Sequence, residues 1–295
     1  MAVTFFIYKR HFVPHFSKNT HKLVEMEGNN VFGEKFNTYV ERSLSSGIKS
    51  LEMVFTPISD CYGGAPVAIS SAVQVNSVIS GTISPDSYLN APLEKELLTD
   101  ISLRAIIKSA LAKIELEEKS YKFKFLSVRC SNSLVYSKDL YSLLCTTLAS
   151  VGTSPNRLCL EFDGSVMSVD EKVLHPAFAD IRAAGLSVAV RGYGEEFSME
   201  KLLGVCPDYL FTGDKLARLV LNREKRGAVA PIINFAKSLG SDVIACGIVR
   251  DEELYEFRSR ECFGYIPDKN YKGAYADRKD FLSVEALMKE GESNV

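Results

Sequence analysis

From about Lys49 onward, short apolar runs alternate with longer stretches in which apolar residues recur at helical spacing. The runs at 51–58, 123–128, 158–162, 186–190, 209–211 and 243–246 read as strands, because each is compact, apolar and bounded by polar or turn residues. Between them, the stretches 93–116, 140–150, 170–184 and 223–238 carry the 3.6-residue pattern of helices. Three of these helices run into Gly152, Gly185 and Gly240, the residue type that best takes the left-handed turn closing a helix. Each glycine is followed within about ten residues by the next apolar run. This repeating αβ rhythm calls for parallel strands wrapped by helices. With roughly six to eight repeats in about 250 residues, a closed α/β barrel fits better than an open sheet. In such barrels functional groups sit where the strands end, so those positions are the ones to examine.

Residues 1–32 fall outside the rhythm. They hold Phe5, Phe6, Tyr8, Phe12 and Phe16 together with His11, His15 and His21, three of the four histidines. No acidic or cysteine ligand lies among those histidines and their spacing matches no common metal motif. The expected organisation is an N-terminal extension over 1–32, a barrel over 33–280 and a C-terminal helix and tail over 281–295. The extension is expected to pack on the barrel or to serve as a partner-binding arm, with Phe5, Phe12 and Phe16 as anchors.

Composition narrows the classes. The 295 residues are 46% hydrophobic and 24% charged, with a net charge of −2, the profile of a globular protein. Basic residues are scattered among nearly equal acids, so no nucleic-acid footprint is expected. The seven cysteines are widely spaced, without a C-x-x-C pair, which argues against a disulfide framework or a zinc ribbon. No segment reads as a signal peptide or a membrane span, and a cytoplasmic location is expected.

An ordered series of motifs carries a resemblance. Phe55-Thr-Pro-Ile-Ser-Asp60 is similar to the F-x-P-I-x-D strand of EAL domains, the cyclic di-GMP phosphodiesterase family. Reading on without a gap, the family's E-A-L tripeptide falls at Ser70-Ser71-Ala72, and Ile83-Ser-Pro-Asp86 with Tyr88 resembles its I-S-P-x-x-F/Y segment. Leu126-Ser-Val-Arg129-Cys-Ser131 resembles V-x-V-N-L-S, and Leu160-Glu161-Phe-Asp163-Gly164-Ser165 resembles L-E-L-T-E-S. Further on, Val188-Ala-Val-Arg191-Gly192-Tyr-Gly194 resembles the strand entering D-D-F-G-T-G, and Pro207-Asp-Tyr-Leu-Phe211 resembles P-D-Y-I-K. Ile244-Ala-Cys246-Gly247-Ile-Val249 resembles V-A-E-G-V-E, and Phe263-Gly264-Tyr265 stands where the family has Q-G-Y. The similarity runs from about 50 to 270. The letters E-A-L at Glu285-Ala286-Leu287 are a coincidence inside the expected C-terminal helix.

The resemblance implies an EAL-type modified (β/α)8 barrel and, in its active members, two-metal hydrolysis of a phosphodiester. Two divalent cations about 4 Å apart need a cage of oxygen ligands, chiefly carboxylates. The resemblance implies that the positions of that cage here are Ser70, Arg129, Gly164, Arg191, Gly192, Gly213, Cys246 and Val249, with Glu161 alone keeping its carboxylate. The assisting lysine becomes Phe211 and the glutamine Phe263. At about 10 Å and an effective dielectric near 20, each change from −1 to +1 costs a divalent ion several kcal/mol. Magnesium binding and catalysis are therefore not expected, and no cofactor is.

Non-catalytic EAL domains can still act as cyclic di-GMP receptors, for which the resemblance implies an arginine after the tripeptide. That position is Gln74, so Arg129, Arg191, Glu161 and Glu195 are the remaining ligand-binding candidates. An ion pair between Glu161 and either arginine is the competing role for them. Glu195 is read as a solvated loop charge or as a partner of Arg191. The expected function is a regulatory domain in bacterial signalling that works through a protein partner. Cyclic di-GMP reception is the alternative and an altered phosphodiesterase the third. A second copy of the chain is a further candidate partner, since EAL domains often dimerise.

Overall fold

The computed structural model describes residues 51–62, 66–77, 81–89, 91–195, 197 and 199–271. The expectations for the N-terminal extension, its histidines and aromatics, the domain boundaries and the C-terminal helix lie outside the described residues.

The strands are β1 (Leu51–Ser59), β2 (Pro66–Ser77), β3 (Gly81–Ile83), β4 (Leu126–Arg129), β5 (Leu158–Phe162), β6 (Ser187–Tyr193), β7 (Tyr209–Thr212), β8 (Asp242–Ile248) and β9 (Gly264–Pro267). They form one sheet in the order β1-β9-β8-β7-β6-β5-β4-β2-β3, and an additional β1–β2 pairing closes it. β3 hangs on β2 outside the ring, which leaves an eight-stranded closed barrel. The helices are α1 (Pro85–Tyr88), α2 (Lys95–Glu118), α3 (Leu140–Ala149), α4 (Glu171–Ala183), α5 (Asp214–Leu219), α6 (Arg226–Ser238) and α7 (Asp251–Arg258). Among the described residues no helix is long and apolar enough to cross a membrane.

Two features depart from the all-parallel reading. β1 is antiparallel to both of its neighbours, β2 and β9. Six residues separate β1 from β2, enough for a reversal but too few for the crossover that a parallel partner requires. β2 itself is absent from the strands predicted above. Its sequence, PVAISSAVQVNS, interrupts its apolar residues with paired serines, and these dilute the apolar signal on which the prediction rests.

Two apolar layers hold the barrel. Outside, the buried faces of the helices and the outward residues of the strands form one large cluster that includes Leu98, Ile106, Leu144, Phe162, Phe178, Val188 and Ile233. Inside, Ile58, Ala68, Phe125, Cys159, Ala189, Phe211, Ile244 and Cys246 fill the lumen. The inner set comes from alternate positions of successive strands, as the two-residue period of a strand dictates. α4 begins at Asp170, whose carboxylate accepts from Lys172 N at 2.8 Å. It ends before Gly185, whose backbone is left-handed and where a Cβ would meet Pro155 Cγ at 2.7 Å. Each helix therefore returns the chain to the floor, and each parallel strand ends at the opposite mouth.

Candidate functional site

The mouth is organised around Glu161, on β5 and 1% exposed. Register places Arg129 opposite Glu161 on β4 and Ser127 opposite Ser70 on β2. Because strand side chains alternate, Ser127 and Arg129 share one face, as do Ser70 and Gln74. Glu161 Oε2 accepts from Ser70 Oγ at 2.8 Å and from Ser127 Oγ at 2.5 Å. Its Oε1 accepts from Arg191 Nε on β6, and Arg129 Nε lies 3.7 Å away. A carboxylate offers about four lone-pair sites, and here four groups surround it.

Each arginine has further support. The Arg191 guanidinium lies 4.5 Å from the centre of the Phe211 ring and reaches Cys246 Sγ at 3.8 Å. Arg129 Nη1 bonds Asp86 Oδ1 at 2.6 Å; the Asp86 side chain is 77% exposed, against 16% for Arg129. Burial alone would raise the Glu161 carboxyl, but Arg191, Arg129 and the bonds from Ser127 and Arg191 outweigh it and hold the group below the usual carboxylate range. Burial likewise opposes the charge on Arg191, and the adjacent Glu161 reverses that and raises it. Burial is the largest influence on the Cys246 thiol, pushing it up to about 12 against the pull of Arg191. At neutral pH the cluster is thus one buried carboxylate, two guanidiniums, two hydroxyls and a protonated thiol.

The structure joins Ser70, Arg129, Glu161, Arg191, Phe211 and Cys246 in one network of contacts at the mouth and gives the other candidates separate roles. Glu195 neither pairs with Arg191 nor stands as a free loop charge. Its Oε1 accepts from Leu216 N at 2.7 Å and so caps α5, whose own N-cap residue, Gly213, has no side chain to do so. A Cβ on Gly213 would lie 2.3 Å from Glu195 Cδ, so Gly213 provides the space the cap needs. Phe263 is not at the mouth. It precedes β9 and packs against Phe125 and Tyr209, with ring centres 5.6 and 5.8 Å apart, at the floor where the strands begin. Val249 donates its N–H to Glu253 at 2.7 Å in the turn into α7. Gly192 takes a left-handed backbone beside an irregularity in the β6–β7 ladder. Gly164 is buried and opens a short 3₁₀ turn capped by Asp163.

Two functional partners are missing from the sequence candidates. Ser127 had a legible signal, its two-residue spacing from Arg129. Asp86 had none, since its approach depends on how α1 is carried over the mouth. Among the described residues no three His, Cys, Asp or Glu side chains converge as an ion site.

Comparison with known proteins adds the following. A sequence model of the EAL domain family matches residues 40–265. An uncharacterized signaling protein of Caulobacter vibrioides is 22% identical over 249 residues, which are 83% of this chain and 30% of that protein. The chain therefore spans less than a third of that relative. The EAL enzyme Bd1971, solved with cAMP and cyclic di-GMP bound, superposes with a TM-score of 0.73 at 16% identity, covering 91% of this chain and 71% of the other. The EAL domain of FimX from Pseudomonas aeruginosa, bound to cyclic di-GMP, superposes with a TM-score of 0.66 at 13% identity, over 81% and 93%. An EAL domain protein of Listeria monocytogenes also gives 0.66, at 16% identity, over 88% and 98%. At these identities the structural likeness speaks for the fold.

Proposed function

The chain belongs to the EAL domain family, and from that premise we propose that it is a catalytically inactive regulatory domain that acts in bacterial signalling through contact with a partner protein. The observation that carries this reading is the saturation of Glu161. Both of its oxygens are engaged, by Ser70 and Ser127 on one side and by Arg191 and Arg129 on the other.

A pair of divalent cations does not fit these residues. A hard cation would have to displace an arginine from Glu161, the buried carboxylate of the cluster, and then sit between two positive charges. Ser70, Cys246 and Phe211 add neutral hydroxyl, thiol and ring, of which only the hydroxyl suits such an ion. The reading accordingly assigns no metal, no cofactor and no hydrolytic step, and it places the domain in the cytoplasm.

A second reading, reception of cyclic di-GMP without hydrolysis, is favoured by Arg129. One of its nitrogens is held by the well-exposed Asp86, a contact that a phosphate at the mouth would replace with a stronger bidentate one. The test is calorimetric titration of the chain with cyclic di-GMP, with and without Mg²⁺, followed by chromatography of the nucleotide. The leading reading expects no heat and intact nucleotide. Saturable binding without turnover would establish the receptor, and Mg²⁺-dependent appearance of the linear dinucleotide would overturn both.

A further inference from the structure

The floor of the barrel, where the strands begin and opposite the Glu161 mouth, carries a cleft of about 770 Å³. It is lined by the end of α2 and by the segments leading into β2, β4 and β5. Three of its lining residues are cations, Lys122, Lys124 and Arg157, and one is an acid, Glu117. That acid is shared loosely, 3.5 Å from Lys113 Nζ and 3.9 Å from Arg157 Nη1. Both contacts exceed hydrogen-bond length. Lys122 and Lys124 are exposed on either side of buried Phe123, and among the described residues neither is joined to a carboxylate. The cleft therefore holds an excess of about two positive charges in a chain whose net charge is −2.

The backbone at Arg157 is the second observation. Its φ is +64°, a left-handed conformation that a residue with a Cβ adopts only at a steric cost. A β-turn sets that shape: Leu158 N donates to the Pro155 carbonyl at 3.0 Å, which makes Arg157 the third residue of the turn into β5, the position where a positive φ is required in a type II turn. Glycine would satisfy the turn without the cost. What arginine adds is a guanidinium in the cleft, 45% exposed and 5.6 Å from the centre of the Phe123 ring. Ser120, also in the cleft, has φ +60° because it closes α2: its N–H donates to the Glu117 carbonyl and the Tyr121 N–H to the Leu116 carbonyl, the usual left-handed end of a helix.

We propose that this cleft binds a small anion with contiguous phosphates, such as pyrophosphate or the triphosphate of a nucleotide. The Arg157 fork and the two lysine ammoniums meet the phosphate oxygens, and Ser120 and Asn156 supply neutral donors from the same wall. The loose Glu117 contact is the one such an anion displaces.

Calorimetric titration of the full chain with pyrophosphate, and separately with ATP, both without divalent cations, tests this. Binding of both at one site per chain is expected, weakening as salt is added. Equal affinities identify the phosphates as the whole ligand, and tighter ATP adds its base. Arg157→Gly is expected to keep or raise the Tm while weakening binding about tenfold or more. The exposed pair Lys122→Ala with Lys124→Ala is expected to weaken it similarly, and it carries the test if Arg157→Gly proves unstable. Arg129→Gln, at the mouth, should leave the affinity unchanged. No heat at millimolar pyrophosphate or ATP overturns the proposal. So does affinity that survives the floor variants, or affinity lost in Arg129→Gln, which would move the anion to the mouth.

Discussion

Glu161 is the residue on which the mouth depends. Removing one partner of a buried pair leaves the other charge without compensation, and this costs more than the pair contributes. Glu161→Gln should therefore lower stability by about 3 kcal/mol, because two guanidiniums then share a neutral amide. Arg129→Gln should cost only about 1 kcal/mol, since Arg129 stands 3.7 Å from Glu161 and its closer partner is exposed Asp86. Chemical denaturation of the two variants measures the order. The pH dependence follows from the same contacts. The folded value of Glu161 lies below its ordinary 4.5, so its stabilising contribution is complete above that pH. It is lost as pH falls from there through the folded value. Wild type and Glu161→Gln should thus differ most near neutrality and converge in acid. At this scale Glu161 and its arginines were legible in the sequence, because each lies within two residues of the end of its strand. Glu195 misled, since no local pattern reveals that a carboxylate will cap a helix 21 residues further on.

At the scale of elements, that cap is a small cooperative device. Gly213 has an ordinary negative φ of −71°, so its lack of a side chain serves space and not backbone freedom. Gly213→Ala should displace the Glu195 carboxylate and cost about 1 kcal/mol, the usual value of a lost cap. Glu195→Ala should cost about the same, and the double variant no more than one of them. A double-mutant cycle by thermal denaturation checks this; full additivity would show that the two residues act separately. β2 carries the complementary lesson. Its serines look like loop chemistry in sequence, yet Ser71 Oγ donates to the Ser127 carbonyl at 2.7 Å and meets Ser109 Oγ of α2 at 2.9 Å. Small hydroxyls that satisfy one another allow a strand and a helix to approach without apolar bulk.

For the whole molecule, closure of the ring ties β1 to both β2 and β9, so among the described residues the earliest strand completes a sheet whose last strand lies some 200 residues on. Its lumen is filled by side chains and its mouth by an internal ion network, and on the reading proposed above neither needs a cation. The Tm should then be the same with excess EDTA as with millimolar Mg²⁺ or Mn²⁺, because a ligand that does not bind the folded state cannot shift its equilibrium. A metal-dependent rise in Tm, measured by calorimetry, would count against the inactive reading.

The sequence by itself determined the rhythm of elements, the barrel class and the set of strand ends facing one mouth. All three follow from periodicity and from short-range turn chemistry, which are local. The tertiary structure alone decided the direction of β1, the existence of β2 as a strand, and the partners of each charge. Arg129 meets Asp86, Glu161 meets Ser127, Glu195 meets Leu216 and Phe263 descends to the floor. Such contacts join residues separated by 21 to 138 positions, and they are set by register and ring closure, which no window of sequence contains.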